Sequence, residues 1–190
     1  MIHVKDRTQL VLFGQETERL LFRKLEESDF DTWLQFCEDP DSLKYFAFKQ
    51  TDSGEEKCRQ WFDKIQWRYA NNAGGMNVLI DKDSGEFIGQ CGLLVQKVDE
   101  QEELEIGYSL MPGARGLGYA LEAAQKCRDL AFQNNFTDSL ISIIHPGNHA
   151  SKRVASNNGM QHSKHTLFNQ MPVDIYRITK EEWGEINQQK

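Results

Sequence analysis

The segment Pro112-Gly113-Ala114-Arg115-Gly116-Leu117-Gly118 constrains this chain more than any other. It joins a strand-like run, Glu103 to Met111, to a helical face traced by Ala120, Leu121, Ala124, Cys127, Leu130 and Ala131. A glycine-rich turn feeding a helix N-terminus aims several backbone N–H groups at one spot, and the helix dipole adds positive charge there. Such a turn suits a phosphate or pyrophosphate. Gly116 and Gly118 permit close approach of the backbone, and Arg115 offers a charge-assisted bond. No Lys-Ser/Thr pair follows, which disfavours a nucleoside triphosphate. Leu121 stands where a GxGxxG fingerprint needs its third glycine. Taken alone, the loop is equally compatible with an ordinary capped helix.

The flanking pattern reads as a mixed α/β chain. Glu18 to Leu25 alternates enough for a first strand. Ser28, with Asp31 three residues on, opens a helix carrying Phe30, Trp33, Leu34 and Cys37, which Asp39-Pro40-Asp41 breaks. Ser53 and Glu56 signal a second helix, with Cys58, Trp61, Phe62, Ile65 and Tyr69 at helical spacing. Strands follow at Met76 to Ile80, Glu86 to Val98 and Glu103 to Met111, turning at Asp83-Ser84-Gly85 and Asp99 to Glu102. Beyond the glycine loop and its helix come a strand at Leu140 to Ile144, a short helix from Asn148, and two strands between Gln161 and Thr179. Glu181 to Lys190 reads as a polar tail. Meandering strands interrupted by helices imply a mixed α/β sheet flanked by helices.

With 190 residues the chain fits one domain, 1–190, large enough for a core without disulfides or metals. No run approaches the roughly 18 apolar residues of a membrane helix, and Met1 to Leu20 lacks a secretory h-region. The net charge is −7, which argues against nucleic acid and favours a cationic partner such as an amine. Cys37, Cys58, Cys91 and Cys127 are dispersed without a CxxC pair. They read as buried thiols in a reducing, cytoplasmic compartment, not as metal ligands. His162 and His165, three apart in a strand-like stretch, are expected on opposite faces, so no metal site is expected. Trp61, Phe62, Trp67 and Tyr69, and likewise Trp33 and Phe46 to Phe48, are expected in the core or along a substrate groove.

Three elements together resemble a known family. Arg115-x-x-Gly118-x-Ala120 resembles the acetyl-CoA signature of the GNAT superfamily of N-acetyltransferases. Glu105-Ile106-Gly107-Tyr108-Ser109-Leu110-Met111-Pro112 is similar to the preceding strand in its ribosomal-protein N-terminal acetyltransferase (Rim-type) branch. Pro146-Gly147-Asn148-His149-Ala150-Ser151 resembles that branch's P-x-N-x-x-S element, and Asn157-Asn158-Gly159-Met160 stands where a K-x-G-F-like ending is usual. The likeness runs from about Glu18 to Thr179.

The resemblance implies a mostly antiparallel central sheet in which the strand ending at Met111 splays from Leu140 to Ile144, with acetyl-CoA in the gap. Backbone groups of Ser109, Leu110 and Met111 would pair with the pantetheine arm. The amides of Arg115, Gly116, Leu117, Gly118, Tyr119 and Ala120 would hold the pyrophosphate. Asn148 would bond the cosubstrate, and Ser151 would lie near its sulfur. The implied reaction is direct attack of a primary amine, on a protein N-terminus or a small molecule, in a ternary complex; the alternative is a non-catalytic acyl-CoA-binding module. The protein is expected to act as a monomer or homodimer. Glu105 is the candidate base, directly or through water; the competing reading is a solvent-facing strand residue beside Glu102 and Glu103. Many members carry a tyrosine acid seven residues after the asparagine. Here that position is Ala155, which leaves Ser151 as the candidate acid.

Overall fold

The computed structural model describes residues 1–188, the side chain of residue 187 aside. The described strands are β1 (Leu20–Arg23), β2 (Gly74–Asp81), β3 (Phe87–Val98), β4 (Gln101–Leu110), β5 (Ser139–Ile144), β6 (Gln161–Phe168) and β7 (Met171–Thr179). They form one sheet in the order β1-β2-β3-β4-β5-β7-β6. Every pairing is antiparallel except β4 with β5. The helices are α1 (Phe30–Glu38), α2 (Pro40–Leu43), α3 (Gly54–Ala70), α4 (Tyr119–Gln133), α5 (His149–Asn157) and α6 (Lys180–Gln188). None is long and apolar enough to cross a membrane.

Local chemistry explains the boundaries. Ser53 accepts the Glu56 N–H at 3.1 Å and Glu56 accepts the Ser53 N–H at 2.6 Å, the reciprocal cap expected for α3. Ser28 does not open α1. Asp29 accepts the Glu26 N–H at 2.9 Å and clamps Arg23 at 2.6 Å, so a 3-10 turn precedes the helix. β1 is shorter than its pattern suggests, because Glu122 takes the Arg19 N–H at 2.9 Å and the guanidinium at 2.7 Å. Asp39-Pro40, expected only to break a helix, also starts one: Asp39 caps α2 and Pro40 occupies its first turn.

The polar tail is also a helix. The Thr179 N–H donates to Glu182 at 2.7 Å and the Glu182 N–H to Thr179 Oγ1 at 3.2 Å, a capping box in Thr179-x-x-Glu182. Trp183 then packs on Phe132 with ring centroids 5.5 Å apart and donates to Asp129 at 2.8 Å.

Two apolar layers sandwich the sheet. On one face Phe22, Leu79, Leu93, Leu104 and Ile106 pack against Ala123, Ala124, Cys127, Ala131 and Phe132 of α4. The small residues let α4 lie close, and burying Phe132 contributes on the order of 2 kcal/mol. On the other face Met76, Val78 and Leu94 meet Trp33, Phe36, Cys58, Phe62 and Ile65 of α1 and α3. Trp67 on the outer side of α3 is exposed, while all four cysteines are buried and free.

Candidate active site

The sheet is interrupted where the parallel pair meets. β4 and β5 register only at Leu104 with Leu140 and at Glu105 with Ile141. Beyond that point the ladder stops. The Ser142 hydroxyl donates to the Ile106 carbonyl at 2.9 Å and closes the fork. Farther out, the Tyr108 hydroxyl spans to the Ser151 carbonyl at 2.9 Å, tying β4 to the first turn of α5.

A cleft of about 570 Å³ occupies this fork. Ser109, Leu110, Arg115, Gly116 and Ala120 line one side, and Asn148 and Ser151 the other. The floor of expected backbone contacts shifts by one residue. The Met111 N–H donates to Ile88 and the Met111 carbonyl accepts from Ala114, both at 3.0 Å. The Met111 N–H is therefore spent inside the fold, so the backbone donor expected of Met111 is not free for a ligand. Alternation along β4 then turns the N–H groups of Tyr108 and Leu110, and the Tyr108 carbonyl, into the cleft. The Leu110 carbonyl is already taken by Arg115 Nε at 3.2 Å.

The glycine turn has the expected form. Gly116 and Gly118 adopt φ of +78° and +88°, and Gly118 is the N-cap of α4. Among the described residues the amides of Gly116 through Leu121 donate to no backbone or side-chain acceptor. Such a row of unpaired donors at a helix N-terminus is an anion cradle. Arg19 braces it from behind: its guanidinium donates to the Leu117 carbonyl at 3.0 Å and lies 4.2 Å from the centre of the Tyr119 ring. Tyr119 in turn donates to Asp81 at 2.7 Å. Of the turn and helix start, Arg115, Gly116 and Ala120 line the cleft, while Leu117, Gly118 and Tyr119 lie outside its lining.

Arg115 differs from its simplest reading. Its guanidinium donates to the Ser42 hydroxyl and approaches Asp39 at 3.5 Å, while Ser42 donates to Asp39 at 2.6 Å. The side chain thus ties the glycine loop to α2 instead of projecting freely toward an anion.

Glu105 sits at the vertex of the fork, on the face that looks toward α3. It is half-buried, so the solvent-facing reading does not hold. The Gln96 amide donates to it at 2.6 Å, and Arg68, itself bound to Gln96 at 2.9 Å, stands behind. Burial pushes the carboxyl up, against the opposing pull of Gln96, Arg68, Lys64 and the Ile143 N–H. Glu105 does not line the cleft.

Asn148 caps α5 by accepting the Ser151 N–H at 3.1 Å, which leaves its side-chain NH₂ as the group available to a ligand. Ala155 is buried in the core. A third wall is built by Phe36, Asp41, Ser42, Lys44, Tyr45 and Phe46; Phe46 was among the aromatics expected in the core or along a groove, and sequence patterns missed the rest. Tyr45 stacks on His145 with centroids 4.9 Å apart and donates to the Gly147 carbonyl at 2.8 Å. For Asp41 and Ser42 the local signal was the Asp39-Pro40 cap of α2.

The chain is similar to known proteins over most of its length. Residues 19–161 match the family model described as an acetyltransferase (GNAT) domain. The Bacillus subtilis protein YkkB is 36% identical over 164 residues, covering 84% of this chain and 92% of its own. A crystal structure of an acetyltransferase from Agrobacterium tumefaciens superposes with a TM-score of 0.72 at 27% identity, covering 86% of this chain and 92% of that one. RimL, a ribosomal alpha-N-protein acetyltransferase solved with coenzyme A, shares the fold with a TM-score of 0.70 at 16% identity over 87% of this chain and 97% of its own.

Proposed function

The chain belongs to the GNAT acetyltransferase family, and on that premise we propose that its β4–β5 cleft binds acetyl-CoA and passes the acetyl group directly to a primary amine. One observation carries the reading: the amides from Gly116 to Leu121 are unpaired, Gly116 and Ala120 line the cleft, and β4–β5 pairing ends at Glu105 and Ile141. The donor set fits the cosubstrate. The glycine-loop amides would hold the pyrophosphate, and the inward N–H and carbonyl of Tyr108 would pair with the pantetheine amides as an added strand does, which leaves the Leu110 N–H for the thioester oxygen. The Asn148 NH₂ would supply one further hydrogen bond. When bound, acetyl-CoA supplies a thioester activated toward amines.

The remaining work falls to the chain. The amine has to be neutral to attack, so its proton must leave. Glu105 receives it through water, since its carboxylate stands at the vertex outside the cleft wall. The Leu110 N–H is an oxyanion donor in a preorganised position. Ser151, which lines the cleft, would return a proton to the departing thiolate. Acidic charge and the aromatic wall of Phe36, Tyr45 and Phe46 favour an amine with an apolar neighbour, on a protein N-terminus as in the Rim-type branch or on a small molecule. The alternative, acyl-CoA binding without transfer, is favoured by the buried Ala155 in the tyrosine position.

Thermal unfolding with acetyl-CoA, followed by thiol release against N-terminal peptides, polyamines, amino acids and aminoglycosides, tests both readings. Stabilisation with turnover supports transfer. Stabilisation without turnover on any amine supports the binding module. No stabilisation at saturating acetyl-CoA, about 2.7 kcal/mol being due at 100 times the dissociation constant, refutes both.

A further inference from the structure

The outer hairpin of the sheet holds a second cluster. In β6 a register shift falls between His162 and Lys164. A regular strand would send His162 and His165 to opposite faces. The bulge at Ser163 reverses that parity, and the two rings lie on one face with centroids 4.9 Å apart. This overturns the expectation that they diverge. Asp174 of β7 stands between them, with Oδ1 3.6 Å from His162 Nε2 and in contact with His165 Nδ1. One ligand atom from each of the three residues lies within 4.8 Å of the other two.

Asp174 is the telling member. It is only 2% exposed, yet its Oδ1 accepts no well-formed hydrogen bond. Its other oxygen, Oδ2, takes the Lys152 ammonium at 2.6 Å. A buried carboxylate oxygen without a full partner is costly. It points toward two imidazoles whose outer sides remain open to solvent. Two imidazole nitrogens and one carboxylate oxygen form a borderline donor set. Three such ligands leave a fourth tetrahedral position for water.

We propose that His162, His165 and Asp174 bind a first-row divalent cation, zinc in the first instance, on the β6–β7 hairpin and apart from the acetyl cleft. The ion would pin edge strand β6 to β7. It would also share Asp174 with Lys152 of α5, the helix that presents Ser151 to the cleft.

Zinc titration of the intact protein by calorimetry, with thermal unfolding in parallel, tests this. The expected result is saturable binding of one equivalent that raises the melting temperature. H162A and H165A should each weaken it by at least about tenfold, the loss that even an outer-shell change can cause. Both imidazoles are substantially exposed, so these variants should fold, and circular dichroism checks that. H3A, distant in the fold, should bind like the parent. An absent one-equivalent isotherm would show that the cluster is only an imidazole–carboxylate ion pair. An isotherm unchanged in the H162A/H165A double variant would place the zinc elsewhere. Either result overturns the proposal.

Discussion

Replacing Gly118 by alanine tests the anion cradle most directly. The residue holds φ of +88° at the N-cap of α4, where a side chain is disfavoured. Forcing alanine into that region costs about 1–2 kcal/mol. The new Cβ would also lie 3.3 Å from Arg19 Nη2. Arg19 yields poorly, because Glu122 holds it at 2.6 Å and the Leu117 carbonyl at 3.0 Å. For a domain of this size the loss corresponds to a fall in melting temperature of roughly 2–8 °C. If the loop instead relaxes out of the left-handed region, one or two amides turn away from the pyrophosphate. Each hydrogen bond to a charged group is worth about 1.5–3 kcal/mol, so the dissociation constant for acetyl-CoA should rise tenfold or more. Calorimetry with acetyl-CoA and with S-acetyl-pantetheine separates the two effects, since only the first ligand carries the pyrophosphate. Equal weakening of both ligands would refute the assignment of these amides, as would unchanged affinity together with an unchanged melting temperature.

Three further outcomes follow from the same structure. E105Q should lower kcat by a factor of about 10² or more while leaving acetyl-CoA affinity intact; because burial raises this carboxyl above its ordinary 4.5, parental activity should rise with pH through a pKa above that value, and the step should vanish in the variant. Asp81, which accepts from the Ser84 N–H and from Tyr119, is held at about 2 instead of 3.8. Its stabilisation is therefore full above pH 3.8 and lost as pH falls through about 2, so D81N should be less stable than the parent at neutral pH, with the gap in urea midpoints closing in acid. W183A should cost about 2 kcal/mol through lost packing on Phe132 and the lost bond to Asp129, read as a lower urea midpoint; no change would mean that α6 contributes little to the fold.

Much of the scaffold was legible because its signals are local. Ser53 with Glu56 announces α3, helical spacing from Ala120 to Ala131 announces α4, and the β2–β4 meander is punctuated by turn residues. α6 was legible too, in Thr179-x-x-Glu182, but its charged composition masked the capping box. Other features depend on partners distant in sequence. Met111 is withdrawn from the cleft by Ile88, Arg115 is claimed by Ser42 and Asp39, and Glu105 is shielded by Gln96 and α3. None of these pairings leaves a trace in a short window of residues.

The amino-acid order alone determined most of the elements and the glycine turn, because capping, periodicity and left-handed glycines act within a few residues. Only the tertiary structure decided where β4 and β5 part, which amides remain unpaired in the gap, and that α2 supplies a third wall. It alone also set a bulge at Ser163 that swings two histidines onto one buried carboxylate. Those outcomes depend on register and on hydrogen bonds between residues tens of positions apart, and such bonds exist only once the sheet has closed.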